Sequence, residues 1–361
     1  MASFALTILG ASGGPLDGGN QGVLLSEPGS FPGKSYICID AGSGLRQIAR
    51  MLVNRKGNTA AGESCWNDPV ESFYERLEEP LYNFIDPGSN IVRGLGPHDT
   101  LQSNETVMNG ALRIFNNMKE YYITHPHLDH IAALVINSPA CFATEKVLWG
   151  LRTTTEALTK HVFNDVLWPN LFAQNKMRLQ LNTLDEYQSH EVRSIPNWII
   201  TPLRVSHGTT VESQLPCSST IYLVRNKTTN NAVAICGDLE SDVISRKRWV
   251  ANAWKYICTT VTLQQLKCIL IECSCSNATK DEHLYGHLSP NYLIHELKQL
   301  SRAYGNKPLD GLQVIIMHVK MSAGMRDPRL VILQEIRELA AAQELGDVRF
   351  SIAVQGYTFV L

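Results

Sequence analysis

Between His125 and His130 the chain reads His-Pro-His-Leu-Asp-His, three imidazoles and one carboxylate in six residues. Core packing has no use for such a cluster. Imidazole nitrogens and carboxylate oxygens are common ligands of divalent metal ions. If an extended backbone persists through His125 and His127, their side chains point the same way and reach one ion. Pro126 has no amide hydrogen to give a sheet ladder, so a strand must end there. Asp129 and His130 would then lie in the following turn, within reach of a second ion. The bland alternative is a solvated histidine-rich turn, and partners elsewhere in the chain argue against it.

The motif needs elements to hold it. Glu120–Thr124 reads as a strand leading in. Ile131–Ile136 is a short apolar helix leading out, stopped by Asn137-Ser138-Pro139. Four later strands end on a side chain that can bind metal or move a proton. Trp198–Val205 runs into Ser206-His207-Gly208. The hairpin Thr220–Arg225 and Ala232–Cys236 ends at Gly237-Asp238. Cys268–Ile271 ends at Glu272, and Val314–Met317 at His318. These residues are far apart in sequence, so only a sheet whose strands end along one edge can unite them.

The remaining chain supplies a frame. Phe4–Gly10 is a first strand, and Gly10-Ala11-Ser12-Gly13-Gly14-Pro15 follows it. That turn lacks the Lys-Ser/Thr of a phosphate loop, so its expected role is to bring backbone close to a shared site. Val23–Ser26 and Tyr36–Asp40 are further strands. Asp40 either caps the turn before the helical pattern Leu45, Ile48, Ala49, Leu52 or supports a metal ligand, and the capping role is favoured. The stretch 54–106 reads as an insertion over the core of one single domain, 1–361, with Phe73, Tyr74, Tyr82, Phe84 and Ile85 available for packing. Helices are expected over Val107–Met118, Thr153–Val166, Asp242–Tyr256, Asn291–Leu300 and Pro328–Leu345. His161, Phe163 and Trp168 are assigned structural roles. Lys146–Gly150 is a strand, and the tail from Arg349 carries a last one.

Composition sets limits. Hydrophobic residues make up 44% of 361, enough for a sizeable core. A net charge of −2 argues against a dominant nucleic-acid footprint. No apolar run approaches the ~18 residues of a membrane span. The N-terminus reads as a strand and not a leader. Nine cysteines without framework spacing suit reduced thiols in the cytoplasm.

Taken together, the segment 125–130 and the single residues His207, Asp238 and His318 resemble the metallo-β-lactamase superfamily. That resemblance implies an α/β fold, an αββα sandwich of two mixed sheets with helices outside. Residues 125–139, His-Pro-His-Leu-Asp-His-Ile-Ala-Ala-Leu-Val-Ile-Asn-Ser-Pro, look like the signature of the class II cyclic-nucleotide phosphodiesterases of the fungal low-affinity type. Lys160–Asp165, Glu272–Cys275, Tyr285–Pro290 and Arg326–Arg329 also resemble that family. Ala133 departs from its preference for Gly or Ser.

The resemblance implies two divalent cations, zinc favoured. His125, His127 and His207 would hold one; Asp129, His130 and His318 would hold the other; Asp238 would bridge them. Asp129 is implied in catalysis as well as binding. Two such metals share a hydroxide and clamp a phosphoryl oxygen about 3.5–4 Å apart. The substrate class would be cyclic AMP, with cyclic GMP as a second candidate. The leaving 3′ oxygen needs a proton. His287, oriented by Glu272, is the candidate donor, because the superfamily's phosphodiesterases carry a similar Gly-His motif. Cys273 and Cys275 are not needed as ligands. A tRNase Z-like endoribonuclease is the alternative, and it lacks a basic arm here. No nucleic acid or membrane partner is expected; the insertion could cover the site or face a second copy in a homodimer.

Overall fold

The structure, a computed structural model, describes residues 2–29, 34–56, 80–96, 101–142, 144–172, 179–210, 212, 215–322 and 326–361. Phe73 and Tyr74 lie outside the described residues. Among these residues, two mixed sheets stack face to face. The first runs β4 (Ile91–Arg93), β15 (Tyr357–Val360), β1 (Ala5–Gly10), β2 (Gly22–Ser26), β3 (Tyr36–Ile39), β5 (Met118–Tyr122), β6 (Lys146–Leu151), β7 (Leu179–Leu184). The second runs β14 (Arg349–Ile352), β13 (Gln313–Met317), β12 (Leu266–Glu272), β11 (Ala232–Cys236), β10 (Pro216–Asn226), β9 (Trp198–Thr209), β8 (His190–Glu191).

Each sheet is antiparallel on one side and parallel on the other. In the first sheet β3, β5, β6 and β7 are parallel. In the second, β11 to β14 are parallel. A parallel connection needs a crossover, so helices must lie on the outer faces.

Strand periodicity decides which side chain goes where. Side chains alternate between faces at period two. In β3, Ile37 and Ile39 enter the core between the sheets, while Tyr36 and Cys38 meet the outer helices. In β2, Val23 and Leu25 face inward and Leu24 outward. Phe4 meets Trp198 at 4.9 Å between ring centroids, and Tyr122 meets Tyr222 at 5.6 Å, across the two sheets. Behind the first sheet lie Ile48 and Leu52, Ile114 and Phe115, and Ile131 and Leu134 of three helices. Behind the second lie Val250 and Trp254, Leu293 and Leu297, and Ile332 and Ile336. The expected αββα sandwich is the observed one.

Some boundaries differ for identifiable reasons. The helix expected over Asp242–Tyr256 is two, Asp242–Ser245 and Trp249–Thr260. Arg246 and Arg248 take left-handed backbone between them, and the Asp242 carboxylate accepts from the amides of Val250 and Ala251 to cap the second. The tail forms two strands rather than one, and β14 and β15 join different sheets. Within the insertion, β4 extends the first sheet and Phe84 is fully buried, whereas Tyr82 is exposed.

One buried cation stitches the first sheet to a helix. Lys146 on β6 has no exposed surface, and its Nζ donates to the carbonyls of Phe115 and Met118 at 2.5 and 2.6 Å. These oxygens close the helix Val107–Asn117, whose last carbonyls have no partner in their own helix. Burial pushes the Lys146 amine down to about 8. The unfolded chain keeps this proton up to about 10.4, so the folded state gains relative stability as pH rises between those values. Wild type should therefore gain up to about 3 kcal/mol on Lys146→Met between pH 8 and 10.5 in paired urea titrations. A constant difference across that range would refute the buried-amine account.

Candidate metal centre

The parallel strands deliver the site. β5 ends at Tyr122, the chain bends at Thr124, and His127 is extended again. The helix Leu128–Asn137 starts at once, with His127 at its N-cap. Asp129 and His130 thus stand in the first helical turn and not in a preceding turn as expected. The consequence is favourable, because a carboxylate near a helix N-terminus is stabilised by its dipole.

Side chains from four chain segments converge. Donor atoms of His125, His127 and His207 lie within 4.8 Å of one another, as do those of Asp129, His130, Asp238 and His318. The first is the trio the resemblance implied, and the second holds the other implied trio together with Asp238. Asp238 follows β11 and sits between them. Its Oδ2 is 3.3 Å from Nε2 of both His130 and His318, and 3.7 Å from Nε2 of both His125 and His207.

The imidazoles are aimed from behind. His130 Nδ1 lies 2.8 Å from Asp40 Oδ2, and His207 Nδ1 lies 2.8 Å from the Gly286 carbonyl. His125 Nδ1 is 3.1 Å from Thr124 Oγ1, and His318 Nδ1 is 3.1 Å from Ser274 Oγ. Tying back one ring nitrogen fixes the ring and leaves Nε2 for the centre. Asp40 also accepts from the Thr124 amide and hydroxyl and from Gln21 Nε2. Of the two roles the sequence left open for Asp40, the less favoured one, support of a candidate ligand, is the contact observed. No local sequence signal carried this; the one hint was a carboxylate at a strand end.

Backbone strain collects here. Asp40 and His318 adopt left-handed φ values of 57° and 59°, which cost non-glycine residues energy and cluster at functional sites. The expected close approach of the turn after β1 is also present. A Cβ on Gly13 would sit 2.3 Å from His318 Nδ1, and the His318 amide donates to the Ala11 carbonyl at 2.7 Å.

Charge is matched to cation binding. Burial pushes His125 and His127 below the ordinary imidazole range, and His207 down to about 4. These three rings are neutral and have lone pairs to give. For His130, burial works downward, but the Asp238 and Asp40 carboxylates overcome it and hold the ring well above its usual value. Burial would raise Asp238, yet His318 and His130 keep it well below the carboxylate range. Asp129 is likewise lowered, burial being outweighed by His318 and His130. Among the described residues His125 Nε2 and Asp238 Oδ1 are buried with no hydrogen-bond partner. Buried acceptors left without a donor are costly unless a cation satisfies them. The donor set therefore fits divalent metal ions.

Glu272, the end of β12, has no exposed surface and receives Leu239 N, Ser274 Oγ and His287 Nδ1 at 2.9, 2.7 and 2.9 Å. Burial lowers His287, but Glu272 reverses this and raises it. His287 packs between His207 and His318, with ring centroids 4.8 and 5.2 Å away. His161, by contrast, is exposed on the helical stretch Leu158–Val162, Phe163 is core, and Trp168 Nε1 donates to Ser138 Oγ. Ser274 was not singled out in the sequence; its hydroxyl turns out to touch Glu272, His287 and His318 together.

Two sheets, outer helices and a histidine–aspartate centre at the strand ends define a metallo-β-lactamase-fold hydrolase. A metallo-β-lactamase-fold protein of Bacillus subtilis, YhfI, shares the architecture at a TM-score of 0.52 and 12% identity, with 98% of each chain covered. The model of the class-II cAMP phosphodiesterases matches residues 39–356, and the chain belongs to that family. It is 40% identical to 3′,5′-cyclic-nucleotide phosphodiesterase 1 of Saccharomyces cerevisiae, covering all of both chains. The crystal structure of unliganded yeast PDE1 superimposes with a TM-score of 0.89 at 38% identity, again over the full length of both.

Asp40→Asn removes the charge behind His130 while keeping the side-chain size. Metal affinity, measured by competition with a chromogenic chelator, should fall about 10- to 100-fold. Unchanged affinity would show that Asp40 serves only the turn.

Proposed function

We propose that the chain hydrolyses 3′,5′-cyclic AMP to the 5′-monophosphate with the side chains of this centre, and cyclic GMP as a second substrate. His125, His127 and His207 would hold one divalent cation, Asp129, His130 and His318 the other, and Asp238 both. The observation that carries this reading is Asp238 Oδ2, set among four imidazole nitrogens at 3.3–3.7 Å. Cations bound there supply Lewis-acid polarisation of a phosphoryl group and activation of water near neutral pH. Five imidazoles among seven ligands favour zinc.

The remaining chemistry belongs to the chain. The 3′ oxygen departs as an alkoxide unless it is protonated. His287 has Nδ1 committed to Glu272, which leaves Nε2 to give that proton. Glu272 keeps the ring charged and oriented, and general acids of this kind contribute about 10²–10⁴-fold. Asp129, with 29% of its side chain exposed, would share in catalysis by holding the second cation.

The endoribonuclease alternative is set aside. The family match and the full-length relative both point to cyclic nucleotides, and a net charge of −2 offers little to a phosphate backbone. Among the described residues no helix is long and apolar enough to cross a membrane. Eight described cysteines are free thiols, which supports the cytoplasm as the working compartment. We read the chain as one catalytic unit, since neighbouring β14 and β15 belong to different sheets.

Chelation should abolish turnover of cyclic AMP, and added zinc should restore it. Protein that leaves both cyclic nucleotides intact with zinc or manganese supplied would sink the reading. His130→Ala should lose turnover with its fold kept by circular dichroism, and full activity would refute the two-cation assignment. His287→Ala should lower kcat about 10²–10⁴-fold on cyclic AMP and far less on bis(4-nitrophenyl) phosphate, whose leaving group needs no proton. Equal losses would remove His287 from the acid role.

A further inference from the structure

Behind the metal centre lies a cavity of about 360 Å³ that the proposed chemistry leaves unused. It is built from the loops that follow two neighbouring parallel strands, β12 and β13, and from the start of the helix Pro328–Ala342. Crevices outside the carboxyl ends of parallel strands are the usual place for ligands in α/β sheets. Ser274 separates this space from the centre. His318 turns Nδ1 to the Ser274 hydroxyl and Nε2 to Asp238, and His287 turns Nδ1 to the same hydroxyl and to Glu272. The cavity therefore lies at the rear of both rings, apart from the place where the centre would meet a phosphodiester.

The lining carries positive charge and hydroxyls and, among the described residues, no carboxylate. Lys320 and Arg326 supply the charge, and Ser274, Ser276, Thr279 and Ser322 the hydroxyls. Among the described residues the Lys320 ammonium has no hydrogen-bond acceptor or carboxylate partner, although its own amide is held by the Ser274 carbonyl at 3.0 Å. Arg326 donates from Nη1 to a neutral acceptor, Gln334 Oε1, at 3.2 Å. Carboxylates of the flanking segments are committed elsewhere. Asp327 grips Arg329 at 2.6 and 3.0 Å, Asp281 accepts from the Tyr292 hydroxyl at 2.8 Å, and Glu335 accepts from the Asn277 amide at 2.9 Å. The helix Pro328–Ala342 begins at the cavity wall with Pro328 and adds the positive end of its dipole. Like charges gathered at one cavity repel, and an anion between them turns that repulsion into attraction.

We infer that this cavity is a second, non-catalytic anion site that takes a phosphoryl group, inorganic or on a small monoester. Lys320 and Arg326 are its charged contacts, and the serine and threonine hydroxyls donate to the remaining phosphoryl oxygens. A guanidinium fork and an ammonium are the side chains that hold phosphate best. The volume falls in the ~300–1,000 Å³ range of small-molecule sites. It exceeds what a bare phosphate fills, so a short organic group has room against Val331 and Ile332. The site stands on its own lining and not on the phosphodiesterase reading.

Phosphate also meets the cations of the holoenzyme, so the test compares sites between variants. Titration calorimetry of the wild-type holoenzyme with inorganic phosphate should show this site, once per chain, with a Kd at or below about 1 mM. Lys320→Met/Arg326→Met, at equal melting temperature, should bind one phosphate fewer than wild type. Lys320→Met alone should weaken the site at least about tenfold, whereas Lys320→Arg, which keeps the charge, should hold it within about threefold. Glycerol 3-phosphate separates the two sources. Tighter binding than phosphate, lost in the double variant, assigns the cavity to an ester; weaker binding, lost in the same way, assigns it to inorganic phosphate. Equal stoichiometry and affinity in wild type and the folded double variant would overturn the site. So would a wild type that binds neither compound up to about 10 mM.

Discussion

A carboxylate buried at the junction of two sheets constrains this structure more than any other group. Asp238 is 1% exposed, and one of its oxygens lies within 3.7 Å of four imidazole nitrogens. A lone buried charge is expensive, so its neighbours must be donors or cations. They come from β5 and the helix after it, from β9, and from the end of β13. Every one of these elements must therefore stop at the right height along the same edge. The sandwich core, with Ile37, Ile39 and Tyr122 on one side and Ile221, Leu223 and Ile235 on the other, is what holds those heights.

Around that centre the molecule places a layer of fixed acceptors and donors. Asp40, Thr124, Ser274 and the Gly286 carbonyl each hold the far nitrogen of a ring. Two of the residues involved, Asp40 and His318, accept left-handed backbone, so local conformation is sacrificed to aim. Rings held this way have little freedom left to lose when a cation arrives. Pre-organisation of this kind distinguishes a metal site from a patch of histidines.

The proposed proton donor has a different design. His287 is paired with a fully buried glutamate and not with the candidate ligands, so its charge is set by Glu272. Ser274 links the two systems, its hydroxyl touching Glu272, His287 and His318. Placement of the candidate acid beside the candidate cation site follows from the parallel order β11, β12, β13, whose successive ends supply Asp238, Glu272 and His318.

Much was legible from residues alone. The cluster 125–130 pointed to a metal site because core packing has no use for that chemistry in six residues, and candidate partners could be named because each was expected to end an apolar strand, although His207 lies inside β9. Apolar runs bounded by turn residues placed the strands, and the family resemblance implied two sheets with helices outside. What the chain could not reveal locally were the groups whose role depends on a distant neighbour. Asp40 looked like a turn cap, and Ser274 like an ordinary serine, because the atoms they orient lie 90 and 44 residues away. The break at Arg246–Arg248, the two-strand tail and the helical setting of Asp129 were likewise decided by caps and pairings made in three dimensions. Ligand identity is a matter of side-chain type, which sequence carries in full; ligand orientation is a matter of what stands behind each ring, which only tertiary contacts supply.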